Sequence, residues 1–191
     1  MRLVTILLIL YALLIPDAGF AQEHAFTLSP FLSYDRYRIS GFDAGFDYGA
    51  ALGVRIADRL ALRAEAAFGS RSIAFDAIGG TESLGAHLTE LSIGAEYRLI
   101  GDARGASLSL SLGGGRLAAT VDAATVSLGA LGTLAVPSRA SARNFLEGGL
   151  TACLPLAGGL GLFVRPALRA AVQAPAASDF SVEGGLRVAL F

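Results

Sequence analysis

Apolar and polar residues alternate one for one along most of this chain. In residues 42–57 the even positions carry Phe42, Ala44, Phe46, Tyr48, Ala50, Leu52, Val54 and Ile56. The odd positions carry Asp43, Gly45, Asp47, Gly49, Ala51, Gly53, Arg55 and Ala57. Every bulky apolar side chain falls on one face and every charge on the other. That is the period of a strand; a helix would scatter both sets around its circumference.

The same pattern recurs in seven further segments. Leu28, Leu32 and Tyr34 form one row, and Leu60, Leu62 and Phe68 another, opposite Arg63 and Glu65. Leu91, Ile93, Tyr97 and Leu99 oppose Ser92, Glu96 and Arg98, and Leu108, Leu110 and Leu112 oppose three serines. Leu146, Leu150 and Leu154 oppose Arg143 and Glu147, while Leu160, Leu162, Val164 and Leu168 oppose Arg165 and Arg169. Val182, Leu186, Val188 and Leu190 close the series against Glu183 and Arg187.

Turn signals divide the segments in a long–short rhythm. Asp58-Arg59, residues 101–105 and residues 155–159 read as tight turns. Residues 69–83, 118–140 and 173–179 read as longer loops, and Ser40-Gly41 as a short connection. Short turns on one rim and longer loops on the other mark a membrane barrel. The expected fold is all-β: an eight-stranded antiparallel up-and-down transmembrane β-barrel. Several segments exceed ten residues, enough for the 9–11 that a tilted strand needs to cross a bilayer.

In such a barrel the apolar row faces lipid and the polar row faces inward. The inward set then holds Asp43, Asp47, Glu65, Glu90, Glu96, Glu147 and Glu183 against Arg55, Arg63, Arg98, Arg143, Arg165, Arg169 and Arg187. Buried charges need such partners. Phe26, Tyr34, Phe42, Phe46, Tyr48, Phe68, Tyr97 and Phe180 supply a modest aromatic girdle, without Trp. A periplasmic barrel with the faces exchanged, binding an apolar ligand, is the competing arrangement.

Composition narrows the classes further. The 191 residues are 53% hydrophobic and only 16% charged, with 24 glycines and a net charge of −1. Disorder needs the opposite balance. Nucleic-acid binding needs a basic patch, and a disulfide scaffold needs more than the single Cys153. Residues 1–21 have a positive Arg2, an apolar run from Leu3 to Ile15 and small residues Gly19 and Ala21. They read as a cleaved export signal, leaving 22–191 as one barrel domain. In the uncharged stretch 148–164, Pro155, Gly158 and Gly159 mark a turn.

An export signal, some 170 further residues, eight alternating strands and a C-terminal Phe191 together resemble the small outer-membrane barrels, such as the OmpA transmembrane domain, OmpX and related surface antigens. The resemblance spans the chain from residue 22 and is architectural. It implies outer-membrane localisation, a monomer surrounded by lipid, a possible surface ligand and recognition of Phe191 by the barrel-assembly machinery. Here Leu190, Val188, Leu186 and Val182 run out of step with Phe191, so either Phe191 breaks the alternation or a bulge shifts the register. Eight strands leave an interior wide enough for side chains only, so a wide diffusion pore is not expected. The expected role is structural or surface interaction.

Chemistry is sparse, and no catalytic, cofactor or metal residue is assigned. Some barrels of this kind hydrolyse lipid A with a hydroxyl, an imidazole and a carboxylate. The one segment that offers such groups is 86–92, with His87, Thr89, Glu90 and Ser92. In a strand His87 and Thr89 share the lipid face while Glu90 and Ser92 point away. His24 has no partners nearby and reads as a solvated tail residue. Asp43 and Asp47 lie about 13 Å apart along a strand, too far to share an ion. Cys153 reads as a small buried thiol. Gly113-Gly114-Gly115 precedes no helix, so a bulge or close interior packing explains it. Residues 121–137 form either an apolar loop or a protruding hairpin, whose edges can recruit a partner strand.

Overall fold

The computed structural model describes residues 26–36, 44–77, 80–101, 105–127, 129–156 and 159–190. Ten strands form: β1 Phe26–Arg36, β2 Gly45–Ala57, β3 Leu60–Ala77, β4 Gly80–Ile100, β5 Ser107–Val121, β6 Ala124–Ser127, β7 Thr133–Val136, β8 Arg139–Pro155, β9 Leu160–Ala171 and β10 Ala174–Ala189. Eight of them close a barrel in the order β1-β10-β9-β8-β5-β4-β3-β2. Every neighbour pairs antiparallel, and β1 meets β10 through Leu28↔Val188 and Tyr34↔Val182. Closure leaves the barrel wall no unpaired edge, which a lipid environment requires.

The faces fall as the alternation predicts. Leu52, Leu62, Leu91, Ile93, Leu112, Leu146, Leu162 and Leu168 all lie on the outer wall, each more than two-fifths exposed. The opposite parity is buried and dominated by charge, with Ser181 and Glu183 fully inaccessible. The exchanged arrangement, in which the Leu rows line an apolar cavity, is therefore excluded. On β8 the outward apolar row runs from Leu146 to Leu154 and is bounded above by Asn144. Arg116 on β5 pairs with Asn144 and is exposed at the same height.

The girdle covers part of the circumference. Phe180, Tyr34, Phe46, Tyr48 and Phe68 sit on adjacent strands β10, β1, β2 and β3. Two ring pairs hold it together: Tyr34–Phe46 at 5.3 Å and Tyr48–Phe68 at 6.2 Å between centroids.

The short turns stand where the sequence places them. Asp58-Arg59 links β2 to β3, and Gly101 and Gly159 adopt φ of 88° and 80° at the other two. Only glycine takes that conformation without strain. The long loops need correction. Residues 69–77 and 80–83 are strand, not loop, because β3 and β4 stay paired up to Ala77↔Gly80. Residues 174–179 likewise belong to β10, with a register shift between Ala174 and Ser178. Gly, Ser and Asp in these stretches resemble loop composition, but cross-strand pairing overrides that local preference. Residues 124–136 form the protruding hairpin β6–β7 around a single 3₁₀ turn at Gly129–Leu131.

The glycine run 113–115 is resolved by packing. β4 and β5 keep register through it, and Gly113 faces Gly94. A Cβ on Gly115 would stand 2.7 Å from Phe145 Cζ. The glycines thus clear space for interior rings. Near the C-terminus β9 and β10 pair without a shift from Ser178 to Val188. Residues 1–25, Ser40-Gly41, Asp43 and Phe191 lie outside the described residues, as does the expected cleavage site after Ala21.

Candidate functional site

The most developed side-chain constellation is the barrel interior. Strand parity aims charges from seven of the eight walls at the axis, β5 supplying only serines, small residues and Leu117, and they meet in successive rungs. At the centre Arg165 on β9 donates through Nε to Glu183 at 2.9 Å and through Nη2 to Glu65 at 2.8 Å. Its Nη1 lies 2.9 Å from Glu147. Arg63 approaches the same acids, 2.8 Å from Glu65 and 3.0 Å from Glu183. Above them Arg169 reaches Glu147, Glu90 and Asp35 at 2.8, 2.8 and 2.9 Å. Ser33 donates to Asp35 at 2.6 Å. Farther up Arg71 meets Asp47 at 2.7 Å, and Arg143 pairs with Asp179. Below the centre Arg187 grips Glu96 with two bonds of 3.2 and 3.0 Å.

Aromatic rings separate the rungs. The Arg63 guanidinium lies 5.6 Å from the Phe163 centroid and 6.0 Å from that of Phe31. Arg169 lies 5.3 Å from Phe145. Such contacts stabilise a desolvated cation. Two small apolar clusters complete the packing: Phe31, Ala51, Ala67 and Phe163 below, and Leu88, Leu117, Ala119 and Phe145 above.

Sequence parity found most of this ladder. Asp47, Glu65, Glu90, Glu96, Glu147 and Glu183 are buried inside, as are Arg63, Arg165 and Arg169. Arg143 and Arg187 are half-buried with acid partners. Arg55 and Arg98 are half-buried at the short-turn end and lie outside the ladder. Asp35, Arg71 and Asp179 were missed as inward residues. Each has the inward parity but lies beyond the segment ends drawn from composition. The interior rungs thus combine six arginines, at 63, 71, 143, 165, 169 and 187, with eight acids rather than an even seven and seven.

The carboxylates of Glu65, Glu90 and Glu147 approach within 4.8 Å of one another. Arg165 and Arg169 hold all three, so the group is explained as part of the ion-pair ladder.

The outer wall carries a separate polar group. His87 is exposed above the apolar row of β4, as its parity predicts. Ser70 Oγ lies 3.2 Å from its Nδ1, and Asp122 Oδ2 lies 3.4 Å from its Nε2. Neither serine nor carboxylate was foreseen: Ser70 faces His87 across the β3–β4 pair, and Asp122 follows β5. Ser92 is buried inside the barrel and cannot join them. The His87 side chain is 63% exposed, and it lines neither the cavity at the short-turn end nor the small void beside Glu65 and Glu147. Cys153 is half-buried and faces a cavity at the short-turn end.

This closed eight-stranded wall, apolar outside and charge-paired inside, is the fold of the small outer-membrane barrels. Among solved structures, the chain is similar to Neisserial surface protein A (NspA), with a TM-score of 0.64 and 14% identity over 88% of this chain and 99% of that one. It is also similar to the N-terminal β-barrel domain of Pseudomonas aeruginosa OprF, with a TM-score of 0.53 and 12% identity over 87% and 98%. No protein-family model and no curated protein matches the sequence.

Proposed function

We propose that the chain is a bacterial outer-membrane barrel with a structural or surface-interaction role, neither an enzyme nor a wide diffusion pore. One observation carries this reading: the outer wall is a continuous apolar band, while the lumen is filled by interlocking ion pairs from Asp35 to Arg187. A filled lumen blocks bulk solute flow, and an apolar exterior is tolerable only in lipid. The solved barrels with this fold support the placement.

In this reading lipid surrounds the Leu rows, and the short turns face the periplasm. The assembly machinery takes hold of the C-terminal strand, and the barrel works as a monomer. Hairpin β6–β7 is the contact element. It forms its own two-stranded sheet beyond the last β5–β8 pair, Val121↔Arg139, carries no charge from residue 124 to 136, and exposes Leu131 and Leu134. Both strands offer an edge to an extended partner.

Fractionation of cells, followed by electrophoresis with and without boiling, tests the proposal. Recovery in the outer membrane with a heat-shifted band is expected. A soluble product without a shift overturns it. The Ser70–His87–Asp122 group supports a lipid hydrolase as the second reading. His87→Ala is expected to leave lipid A unchanged by mass spectrometry, and a changed acyl pattern would favour the hydrolase.

A further inference from the structure

The barrel encloses a cavity of about 380 Å³ at its short-turn end. Its charged lining is Arg55, Arg59, Arg63, Arg98 and Arg187 against Glu96. We propose that this vestibule is a binding site for a small soluble molecule bearing a phosphoryl group. The binding does not rest on the outer-membrane reading; only the side of the membrane it faces does.

Charge is the first argument. Arg187 is committed to Glu96, and Arg63 to Glu65 and Glu183. Arg59 and Arg98 have no ion-pair partner among the described residues. Arg55 stands close enough to Arg98 for the two to repel, with Asp58 as a counter-charge. Positive charge thus gathers at one mouth of a chain whose net charge is −1. A monocarboxylate would neutralise one of these cations. A phosphoryl group carries about −1.5 to −2 at neutral pH and offers three acceptor oxygens. Its geometry suits the planar guanidinium fork, which binds phosphate through paired N–H bonds.

Shape is the second. The volume falls within the roughly 300–1,000 Å³ of small-molecule pockets. Small residues hold it open: Ser29, Ala51, Gly53 and Gly161 line it where larger side chains would fill it. Its floor is formed by the buried Arg63 and the half-buried Arg187. Arg63 is 7% exposed, and its Nη1 has no hydrogen-bond partner. Arg187 is fixed by Glu96 and lies 5.7 Å from the Phe163 centroid. Ion-paired donors at the base and more exposed ones at the mouth make a graded anion funnel.

Cys153 lines the same cavity and is the chain's only cysteine, so it reports occupancy directly. The full chain, extracted folded from membranes in detergent, would be titrated calorimetrically with inorganic pyrophosphate. Alkylation of Cys153 by iodoacetamide would be timed in parallel. Saturable binding is expected, with alkylation slowed several-fold at saturation. Arg98→Ala and Arg59→Ala should weaken binding at least tenfold while retaining the heat-shifted band, and Arg98→Lys should weaken it less than Arg98→Ala. Heat that never saturates, or unchanged alkylation, overturns the proposal. So does equal affinity in the alanine variants. Displacement of pyrophosphate by micelles doped with anionic phospholipid would assign the site to lipid headgroups and overturn the soluble ligand.

Discussion

Arg165 sits at the centre of the interior ion-pair network. It is 2% exposed and touches Glu65, Glu147 and Glu183 at once. Arg165→Met keeps much of the side-chain length and removes the charge. Arg63 would still reach Glu65 and Glu183, and Arg169 would still reach Glu147. Three buried carboxylates would nonetheless share two cations where they now share three. Removing one partner of a buried ion pair costs about 3–5 kcal/mol, because the other charge stays desolvated. The central rung is of that kind, so about 4 kcal/mol is expected. At roughly 1.4 kcal/mol per factor of ten, that lowers the folded-to-unfolded ratio about a thousandfold.

The assay is urea unfolding of the barrel in detergent, with the folded fraction read from the unboiled gel band and far-ultraviolet circular dichroism. The double variant Arg165→Met/Glu183→Gln separates charge from packing, since removing both members relieves the unpaired acid. It should be more stable than the sum of the two single losses implies, by about 0.5–3 kcal/mol. A single variant within 1 kcal/mol of the parent, or strictly additive losses, would refute the view that ion pairing organises this interior.

Three further outcomes follow from the same geometry. Leu112→Arg puts a charge near the middle of the apolar band, where Leu112 is 60% exposed beside Ala95 and Gly148; it should cost about 2–4 kcal/mol in lipid vesicles, read as loss of heat-resistant folded band. Gly115→Leu drives a side chain into Phe145 and should cost about 1–3 kcal/mol or prevent folding, whereas Gly129→Ala at the hairpin tip meets no atom within 4 Å and carries only the strain of a φ of 62°, about 1 kcal/mol in the same urea assay. Replacing residues 124–136 with a short Gly-Ser link should leave the barrel's urea midpoint unchanged while abolishing any surface interaction scored by cell binding, because β6 and β7 pair only with each other.

The parts of the molecule legible in the sequence are those governed by one local rule. Alternation fixes which side of the wall each residue occupies, so Leu112, Glu147 and Arg165 could be assigned without knowing their neighbours. Three-dimensional partners follow a different rule. Arg165 meets Glu65 across 100 sequence positions because closure brings β9 opposite β3, and no local pattern encodes that distance. Strand ends fail for a related reason. Residues 69–77 look like a loop by composition, but β4 satisfies their backbone groups, and that pairing admits Arg71 to the interior. Phe31, Phe145 and Phe163 break the rule of polar residues inside, and each has a physical reason to do so. A narrow lumen packed with guanidinium groups needs flat, polarisable surfaces between the charges, and glycines such as Gly49 and Gly115 make room for the rings. The outer-wall Ser70–His87–Asp122 group and the arginine vestibule arise the same way, from residues on neighbouring or facing strands whose meeting depends on register and closure alone.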